Sequence, residues 1–311
     1  MLDKVELLNE LPSDLQFKIV QDLSNPDLVN LAQASQYHFA LFKPIDNIRK
    51  LLNHVVRGQH DAVQSMLTDD INLMLQRGKV TDYSGREFEN ISAFEYALWA
   101  LDKHMWAKMI SCLPQNEEAT KIFNKLISQY NKIITDGVTY RLNGQTITEQ
   151  HFDFENTLIK ELQTQVDSIN AIGSNWEAVD IQWQKGVGGA QKLLPMHIIY
   201  EYCSNQRFDS VPEFIVQPNT SAQVYSWLSD KDEHWFSVDS KLSVDYAILK
   251  GAGKVLAAGY ARGRLPGTPA CHQDLDAMKA LCKIRTNDFI DLKSQLEDQM
   301  PRDNNHPMPQ I

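Results

Sequence analysis

The feature that most constrains the fold of this chain is an apolar repeat with the spacing of an α-helix, which returns along most of its length. Near the N-terminus, Leu11, Leu15 and Ile19 follow one another every four residues, and Leu23 extends the stripe. Residues at this spacing lie on one face of a helix. The pattern recurs in Leu51, Leu52, Val55 and Val56, in Ile122, Phe123, Leu126 and Ile127, and in Leu275, Met278, Leu281, Phe289, Leu292 and Leu296. The sequence therefore predicts a mainly α fold.

Breaks in this pattern divide the 311 residues into four parts. Residues 1–45 are predicted to form a trihelix, and residues 46–112 to form helical pairs. Residues 113–297 are predicted to form a mostly helical domain with possible short strands, in which Val244 to Leu249 fits either a strand or a buried helix. The polar segment 298–311 contains three prolines and is expected to be a disordered tail.

Turn-forming residues predict where individual elements end. The third helix of the trihelix is expected to stop at Pro44, and Gly58 is expected to end the next helix. A long loop is predicted from Gln76 to Asn90, and a short hairpin from Asp136 to Thr146. The glycines from Gly186 to Gly189 predict a turn.

The composition argues against several classes of function. The formal net charge is −10 and no dense run of Lys and Arg occurs, so nucleic acid and anionic membranes are not expected as partners. No apolar stretch has the length of a membrane span, and the N-terminus lacks the pattern of a secretory signal, so a soluble intracellular protein is expected. The cysteines are far apart and predict reduced thiols, without a disulfide framework, zinc site or other cofactor: Cys112, Cys203, Cys271 and Cys282.

Residues 9–43 carry a joint pattern of apolar and turn-forming residues. It consists of Leu11-Pro12, the stripe that ends at Leu23, the break Pro26-Asp27-Leu28 and the pair Leu31-Ala32. This pattern resembles the F-box, with tyrosine and phenylalanine at 37 and 39 where family members usually carry a tryptophan.

The F-box resemblance implies a partner, Skp1, which joins F-box proteins to a cullin-RING (SCF) ubiquitin ligase. A trihelix of this size has little core of its own, and an apolar surface on it is suited to a partner. The simpler alternative is that the same residues pack the trihelix against the rest of the chain as a cap. The residues implied for Skp1 contact are Leu11, Pro12, Leu15, Ile19, Leu23, Pro26, Leu28 and Leu31.

The second part of the chain resembles ankyrin repeats. The turn at Gly58 between two apolar helices follows the family pattern, and the segment from Ser92 to Ala97 stands where the family has Thr-Pro-Leu-His-x-Ala. About two such units are visible, fewer than an array needs to be stable alone. An F-box followed by ankyrin-like pairs resembles Dot/Icm-type effectors that bacteria translocate into host cells. This resemblance implies that the protein acts in the host cytoplasm on an unknown host target.

Two groups of residues are candidates for contact with that target. Asp82, Tyr83 and Arg86 lie in the predicted loop, where binding residues concentrate, although a salt-linked turn that braces the helical pairs is the competing interpretation. Trp227 and Trp235 are candidates for a groove, because aromatic residues are enriched in binding hot spots, or for ordinary core packing. The aromatic residues Tyr96, Trp99 and Trp106 are spaced for the core.

Catalytic thiol chemistry is a weaker alternative. Cys203 follows His197, and Cys271 precedes a histidine, but residues six apart on a helix, or adjacent to one another, do not bring their side chains together. We therefore predict a non-enzymatic substrate adaptor. The alternative is an effector enzyme that modifies a host protein through its C-terminal domain and uses the F-box for localisation.

Overall fold

Helices account for most of the described residues, in agreement with the predicted mainly α fold. The computed structural model describes residues 8, 10–21, 23–114, 116–237, 239–251, 253, 255–259, 262 and 270–299. The helices are α1 (Ser13–Val20), α2 (Asn25–Gln33), α3 (Gln36–Val56), α4 (His60–Asp69), α5 (Ala93–Trp99), α6 (Lys103–Ser111), α7 (Glu117–Asp136), α8 (Lys160–Asn170), α9 (Trp176–Ile181), α10 (Gly188–Gln191), α11 (Met196–Cys203) and α12 (Ala270–Gln299). Shorter helical segments are a 3-10 helix (Ile71–Leu75) and two π-helical segments (Glu155–Ile159 and Gln182–Val187).

The predicted tail falls almost entirely outside the described part of the chain. Residues 298 and 299 end α12, and residues 300–311 lie outside the described residues.

Two four-stranded sheets complete the fold. In the first sheet β1 (Arg77–Thr81), β2 (Glu87–Ser92), β3 (Val138–Leu142) and β4 (Gln145–Glu149) pair in that order, all antiparallel. In the second, the order is β6-β5-β8-β7, with β5 and β8 parallel; the strands are β5 (Gln223–Ser226), β6 (Lys231–His234), β7 (Ala247–Leu249) and β8 (Leu256–Ala258). The short strands of the third part are thereby confirmed.

The predicted hairpin after α7 is confirmed, whereas the predicted long loop from Gln76 to Asn90 is wrong. That loop is the β1–β2 hairpin, whose buried side chains include Val80, Phe88 and Ile91. These apolar positions are separated by polar residues and a bulge near Gly78. The pairing is therefore not visible as a simple alternation, and it becomes favourable only when the strands meet β3 and the surrounding helices.

The predicted stop at Pro44 is also wrong, because α3 runs through this residue to Val56. A proline inside a helix costs about 3 kcal/mol through its missing N–H and its ring. Helix α3 buries Phe42 before Pro44, and Ile45, Leu51 and Leu52 after it. Each such side chain contributes roughly 1.5–3 kcal/mol on burial, so their sum exceeds the cost of the proline. The predicted boundary at residue 45 therefore falls inside a helix.

The described residues form two separate apolar cores. The smaller one belongs to the trihelix and contains Val20, Leu28, Ala32, Phe42 and Ile45. The larger one extends from Leu51 to Leu296 and includes both sheets. The predicted boundary between 112 and 113 does not separate two cores, because β2 pairs with β3 across it.

The glycines at 186–189 do not form a turn but lie in helical structure. A Cβ on Gly188 would lie only 2.8 Å from the carbonyl oxygen of Tyr246, so the glycine serves close packing of α10 against the segment before β7. In the ambiguous segment Val244 to Leu249, only Ala247–Leu249 form a strand, β7, which is buried throughout, whereas Val244 lies in an exposed turn before it.

Candidate functional site

The structure divides the predicted Skp1-contact residues by exposure. Leu28 is 1% exposed and belongs to the trihelix core, so in this arrangement its side chain is not available to a partner. The exposed members are Pro12, Leu15, Ile19 and Pro26, and the half-buried members are Leu11, Leu23 and Leu31.

The exposed members include an apolar face on α1. Leu15 and Ile19 lie one helical turn apart and are 47% and 48% exposed. Tyr37, itself half exposed, donates its hydroxyl to Gln16 Oε1 at 3.4 Å, which brings its ring against α1. Phe39 is exposed to a similar extent on the first turn of α3. Exposed apolar side chains grouped on one small module are the feature that marks a protein-binding surface.

A buried arginine fixes this module to the long helix. Arg49 of α3 donates from Nη2 to the carbonyl of Gln21 at 2.6 Å and from Nη1 to the carbonyl of Leu23 at 2.7 Å. It also donates to Asn25 Oδ1 at 3.1 Å. The guanidinium thus satisfies the carbonyl of Gln21 at the C-terminal end of α1, where backbone carbonyls lack partners within the helix, and it also binds the Leu23 carbonyl in the following loop and the Asn25 side chain.

Two of the candidate target-contact residues are buried, which corrects their prediction as a contact surface. Asp82 Oδ1 accepts hydrogen bonds from the backbone N–H groups of Ser84 and Arg86, and the Arg86 guanidinium lies 3.4 Å from Asp82 Oδ2. Arg86 also donates to the carbonyl of Leu193 at 2.8 Å. The competing interpretation, a salt-linked turn that braces the fold, agrees with these contacts.

Arg86 is further held by aromatic rings. Its guanidinium carbon lies 5.1 Å from the centroid of Trp99, 5.4 Å from that of Tyr140 and 5.5 Å from that of Phe152. The predicted core position of Trp99 is confirmed, as are those of Tyr96 and Trp106.

The remaining candidates differ from one another in exposure. Trp235 is buried and donates Nε1–H to the carbonyl of Gln191, so its prediction as a groove residue is wrong and core packing is correct. Trp227 is half-buried. Tyr83 is exposed at the turn, where it stacks on Phe236 at 4.8 Å and lies under the Arg57 guanidinium at 5.0 Å. Tyr83 joins the first hairpin to the turn after β6.

A cleft of about 720 Å³ opens between the starts of α4 and α6 and the loop before β5. Its lining includes His60, His104, Lys108, Tyr200 and Gln217. The predicted helix stop at Gly58 is confirmed and shapes one wall. Its φ is +66°, and a Cβ there would lie 2.7 Å from the Tyr200 ring, so both backbone conformation and space require glycine.

A buried charged group, Arg285 of α12, lies behind the cleft. Its Nη2 donates to His104 Nε2 at 2.8 Å and to the carbonyl of Phe214 at 3.0 Å. Burial, together with the neighbouring Arg285, lowers the pKa of His104 to about 4, which leaves the imidazole neutral and able to accept this hydrogen bond. Burial lowers the pKa of His197 to about 4 as well, and its Nε2–H donates to the carbonyl of Ala100 at 2.8 Å.

Glu201 of α11 makes stability depend on pH. Burial raises its pKa to about 7, although Arg285, 3.8 Å away, and Lys250 both favour the charged form. The folded protein therefore keeps this proton to about pH 7, whereas the unfolded chain releases it near the ordinary value of 4.5. The resulting stabilisation is complete below pH 4.5 and is lost as the pH rises to about 7.

The variant Glu201→Gln has no proton to lose, and this gives a prediction. The free energy of unfolding of the wild type, relative to the variant, should fall by at most roughly 3 kcal/mol between pH 4.5 and 7.5. Urea unfolding at four pH values measures it. His104 and His197 titrate in both proteins and largely cancel in the difference. A difference that stays constant with pH would contradict the assigned pKa.

The cysteine-histidine alternative finds no support in the geometry. Cys203 is buried and burial raises the pKa of its thiol to about 12, so the thiolate is not formed at neutral pH. Cys271 is buried in the main core, and His197 lies one and a half helical turns from Cys203. Within the described residues, no three His, Cys, Asp or Glu side chains group as metal ligands. No helix in that part of the chain combines the length and apolar character of a membrane span.

Sequence reasoning missed Arg49, Arg285 and the cleft. A signal for the two arginines exists, because each interrupts an apolar stripe at helical spacing. Arg49 follows Ile45 by four residues, and Arg285 stands midway between Leu281 and Phe289. A charge at such a position is buried only when it has partners, so it indicates a buried network. The cleft has no comparable signal, because its residues come from distant segments.

Comparisons with known proteins give two matches and one negative result. A family model described as the CBUA0006 C-terminal domain matches residues 157–296, a range that includes the cleft residue Gln217 and Arg285 but not the trihelix. The chain is 36% identical over 266 residues to the uncharacterized protein CBUA0006 of Coxiella burnetii (strain RSA 493 / Nine Mile phase I). This alignment covers 79% of the chain and 74% of that protein. No solved structure matches the chain.

Proposed function

For this chain, which belongs to the family of the uncharacterized Coxiella burnetii protein CBUA0006, we propose on the basis of its F-box resemblance that it is a bacterial adaptor that acts on a eukaryotic ubiquitin ligase. In this proposal the trihelix binds host Skp1 as an F-box does, and the remainder of the chain captures a host protein for ubiquitination by an SCF ligase. The adaptor needs no bond chemistry of its own, because holding a target beside the ligase makes ubiquitin transfer a local event. Since Skp1 is a host protein, the proposal includes translocation into the host cytoplasm.

The observation that supports this proposal is the apolar face of Leu15 and Ile19 on a module with its own core. If these side chains packed the trihelix against the main body as a cap, they would be buried in the chain itself. Instead they face solvent together with Pro12 and, nearby, Tyr37. An interface on the order of 1,600 Å² in total would cover such a face and its surroundings.

The binding of purified Skp1 to the full chain, measured by isothermal titration calorimetry, tests the proposal. The wild type should saturate at one Skp1 per chain. Replacing both Leu15 and Ile19 by alanine should weaken binding by ~2–3 kcal/mol, since the variant loses the additional apolar burial that each half-exposed side chain gains on binding. That corresponds to about 30- to 150-fold in Kd. Because both positions are exposed in the free protein, the variant should fold normally.

A matched control replaces two isoleucines outside the trihelix that are somewhat more exposed, Ile181 and Ile290, by alanine. This control should bind Skp1 as the wild type does. Absence of wild-type binding, or equal loss in both double variants, would refute the adaptor proposal.

Translocation is tested separately, by fusing the chain to a reporter enzyme and measuring reporter activity in host cells with and without the bacterial secretion system.

A further inference from the structure

The loop before β5 presents an exposed apolar pair beside the cleft. Ile215 and Val216 are 68% and 76% exposed, and they directly precede the cleft residue Gln217. The loop is anchored at Phe214, which is buried at a φ of +52°, a conformation that a bulky residue adopts only under constraint. Arg285 supplies that constraint by donating to the Phe214 carbonyl. Backbone strain of this kind is found mainly where a binding site must be held in shape.

The cleft also contains polar groups that the protein itself does not satisfy. Both the amide nitrogen and the amide oxygen of Gln217 are buried and have no hydrogen-bond partner among the described residues. The same holds for His60 Nε2, and His60 also lines the cleft. A buried donor or acceptor without a partner destabilises the protein, so an unmatched donor and acceptor on one side chain are retained at a cost in stability.

We propose that this cleft is the target-binding site of the adaptor and that it takes an extended polypeptide segment. A carboxamide presents an NH2 donor group and a C=O acceptor side by side, which match the C=O and N–H of a peptide backbone, and in this proposal the Gln217 side chain turns from its buried position into the cleft to meet them. Ile215 and Val216 would contact apolar side chains of the same segment. The identity of the partner, a host target, rests on the proposed adaptor function. The chemistry of the bound segment rests on the geometry of the cleft alone.

The surroundings favour a polypeptide over a small molecule. Sites for small ligands are enclosed and mostly apolar, whereas this cleft is open and bordered by Asp61, Lys108 and His104. The apolar pair is not part of the cleft lining but precedes it on the exposed loop, so a ligand that contacts both must extend out of the cleft. Charges of both signs line the cleft, so neither a strongly acidic nor a strongly basic segment is favoured.

The test uses a random peptide library displayed on phage, selected on the immobilised full-length protein, followed by titration calorimetry with the enriched synthetic peptides. The key variant is Gln217→Met, which keeps the side-chain length and removes both hydrogen-bonding atoms. It should weaken peptide binding by about tenfold or more, while its melting temperature is unchanged or higher. A merely structural glutamine would instead lower the melting temperature and leave binding of the folded protein unchanged. Replacing Ile215 and Val216 by serine should also weaken binding.

Two controls separate this inference from the adaptor proposal. The Leu15→Ala, Ile19→Ala variant should bind the selected peptides as the wild type does, and Gln217→Met should bind Skp1 normally. Failure of Skp1 binding with peptide binding intact would overturn the adaptor function and leave the cleft as a peptide site. If no peptide is enriched, or enriched peptides bind Gln217→Met equally well, the inference is wrong. Adenosine and nicotinamide serve as probes for a small-molecule site. If either raises the melting temperature while no peptide is selected, the cleft binds a small ligand and the inference is wrong.

Discussion

Replacing Arg86 by alanine should lower the free energy of unfolding by about 3–5 kcal/mol, because it leaves buried partners without their cation. Arg86 is buried beside Asp82, donates to the Leu193 carbonyl and lies among three aromatic rings. Its removal opens a cavity, leaves the Leu193 carbonyl without this donor and deprives Asp82 of its cation. Each of these effects destabilises the folded state separately.

Urea unfolding followed by circular dichroism measures this loss. The matched control is Lys79→Ala in the same hairpin, where Lys79 pairs with Glu89 at 3.2 Å and both side chains are exposed. That pair should contribute no more than about 1 kcal/mol. Arg86→Lys should recover little of the lost stability, because a lysine cannot contact the carbonyl and the carboxylate through a planar fork. Equal effects in Arg86→Ala and Lys79→Ala would show that Arg86 does not brace the fold.

Replacing Arg49 by alanine should loosen the trihelix without unfolding the rest of the protein. Arg49 satisfies the carbonyls of Gln21 and Leu23 and the Asn25 side chain. The trihelix core is separate from the main core, so it can open by itself. We expect the free energy of this local opening to fall by ~2–4 kcal/mol.

Native-state hydrogen exchange resolves this effect, because it reports opening residue by residue. Amides of α1 and α2 should exchange faster in Arg49→Ala, while those of α7 and α12 should keep their protection. The neighbouring control is Lys50→Ala, whose exposed pair with Asp46 should be worth only a few tenths of a kcal/mol. If amides of α7 and α12 exchanged faster as well as those of α1 and α2, this would instead indicate that the trihelix is an integral cap of the main body. It would thereby weaken the case for a separate F-box module.

Local spacing was sufficient for most of the helices and for one hairpin. The stripe through Leu275, Leu281 and Leu292 predicts α12, and the alternation after Asp136 predicts β3 and β4. Likewise, the end of α3 follows from Gly58, because only glycine readily adopts its positive φ. Such features depend on residues within a turn or two of one another, and the sequence displays them directly.

The candidate site was predicted in part. Leu15 and Ile19 were selected through the F-box resemblance, and they lie on the exposed apolar face. Leu28 was selected in the same way and lies in the core, because a helix in a three-helix module must turn some of its apolar residues inward. Asp82 and Arg86 lie in the turn between β1 and β2, as their predicted loop position requires, but they are buried rather than presented to a partner.

The sequence by itself determined where most of the helices form and which of their faces are apolar, since periodicity at four residues is a local property. Only the tertiary structure decided which faces meet. Arg86 finds its acceptor at Leu193, 107 residues away. Gln217 and His60 line the same cleft although they lie far apart in the sequence. Continuation of α3 through Pro44 was likewise decided by burial on both sides of the proline. These outcomes depend on free energies of burial and pairing between distant segments, which no local pattern contains.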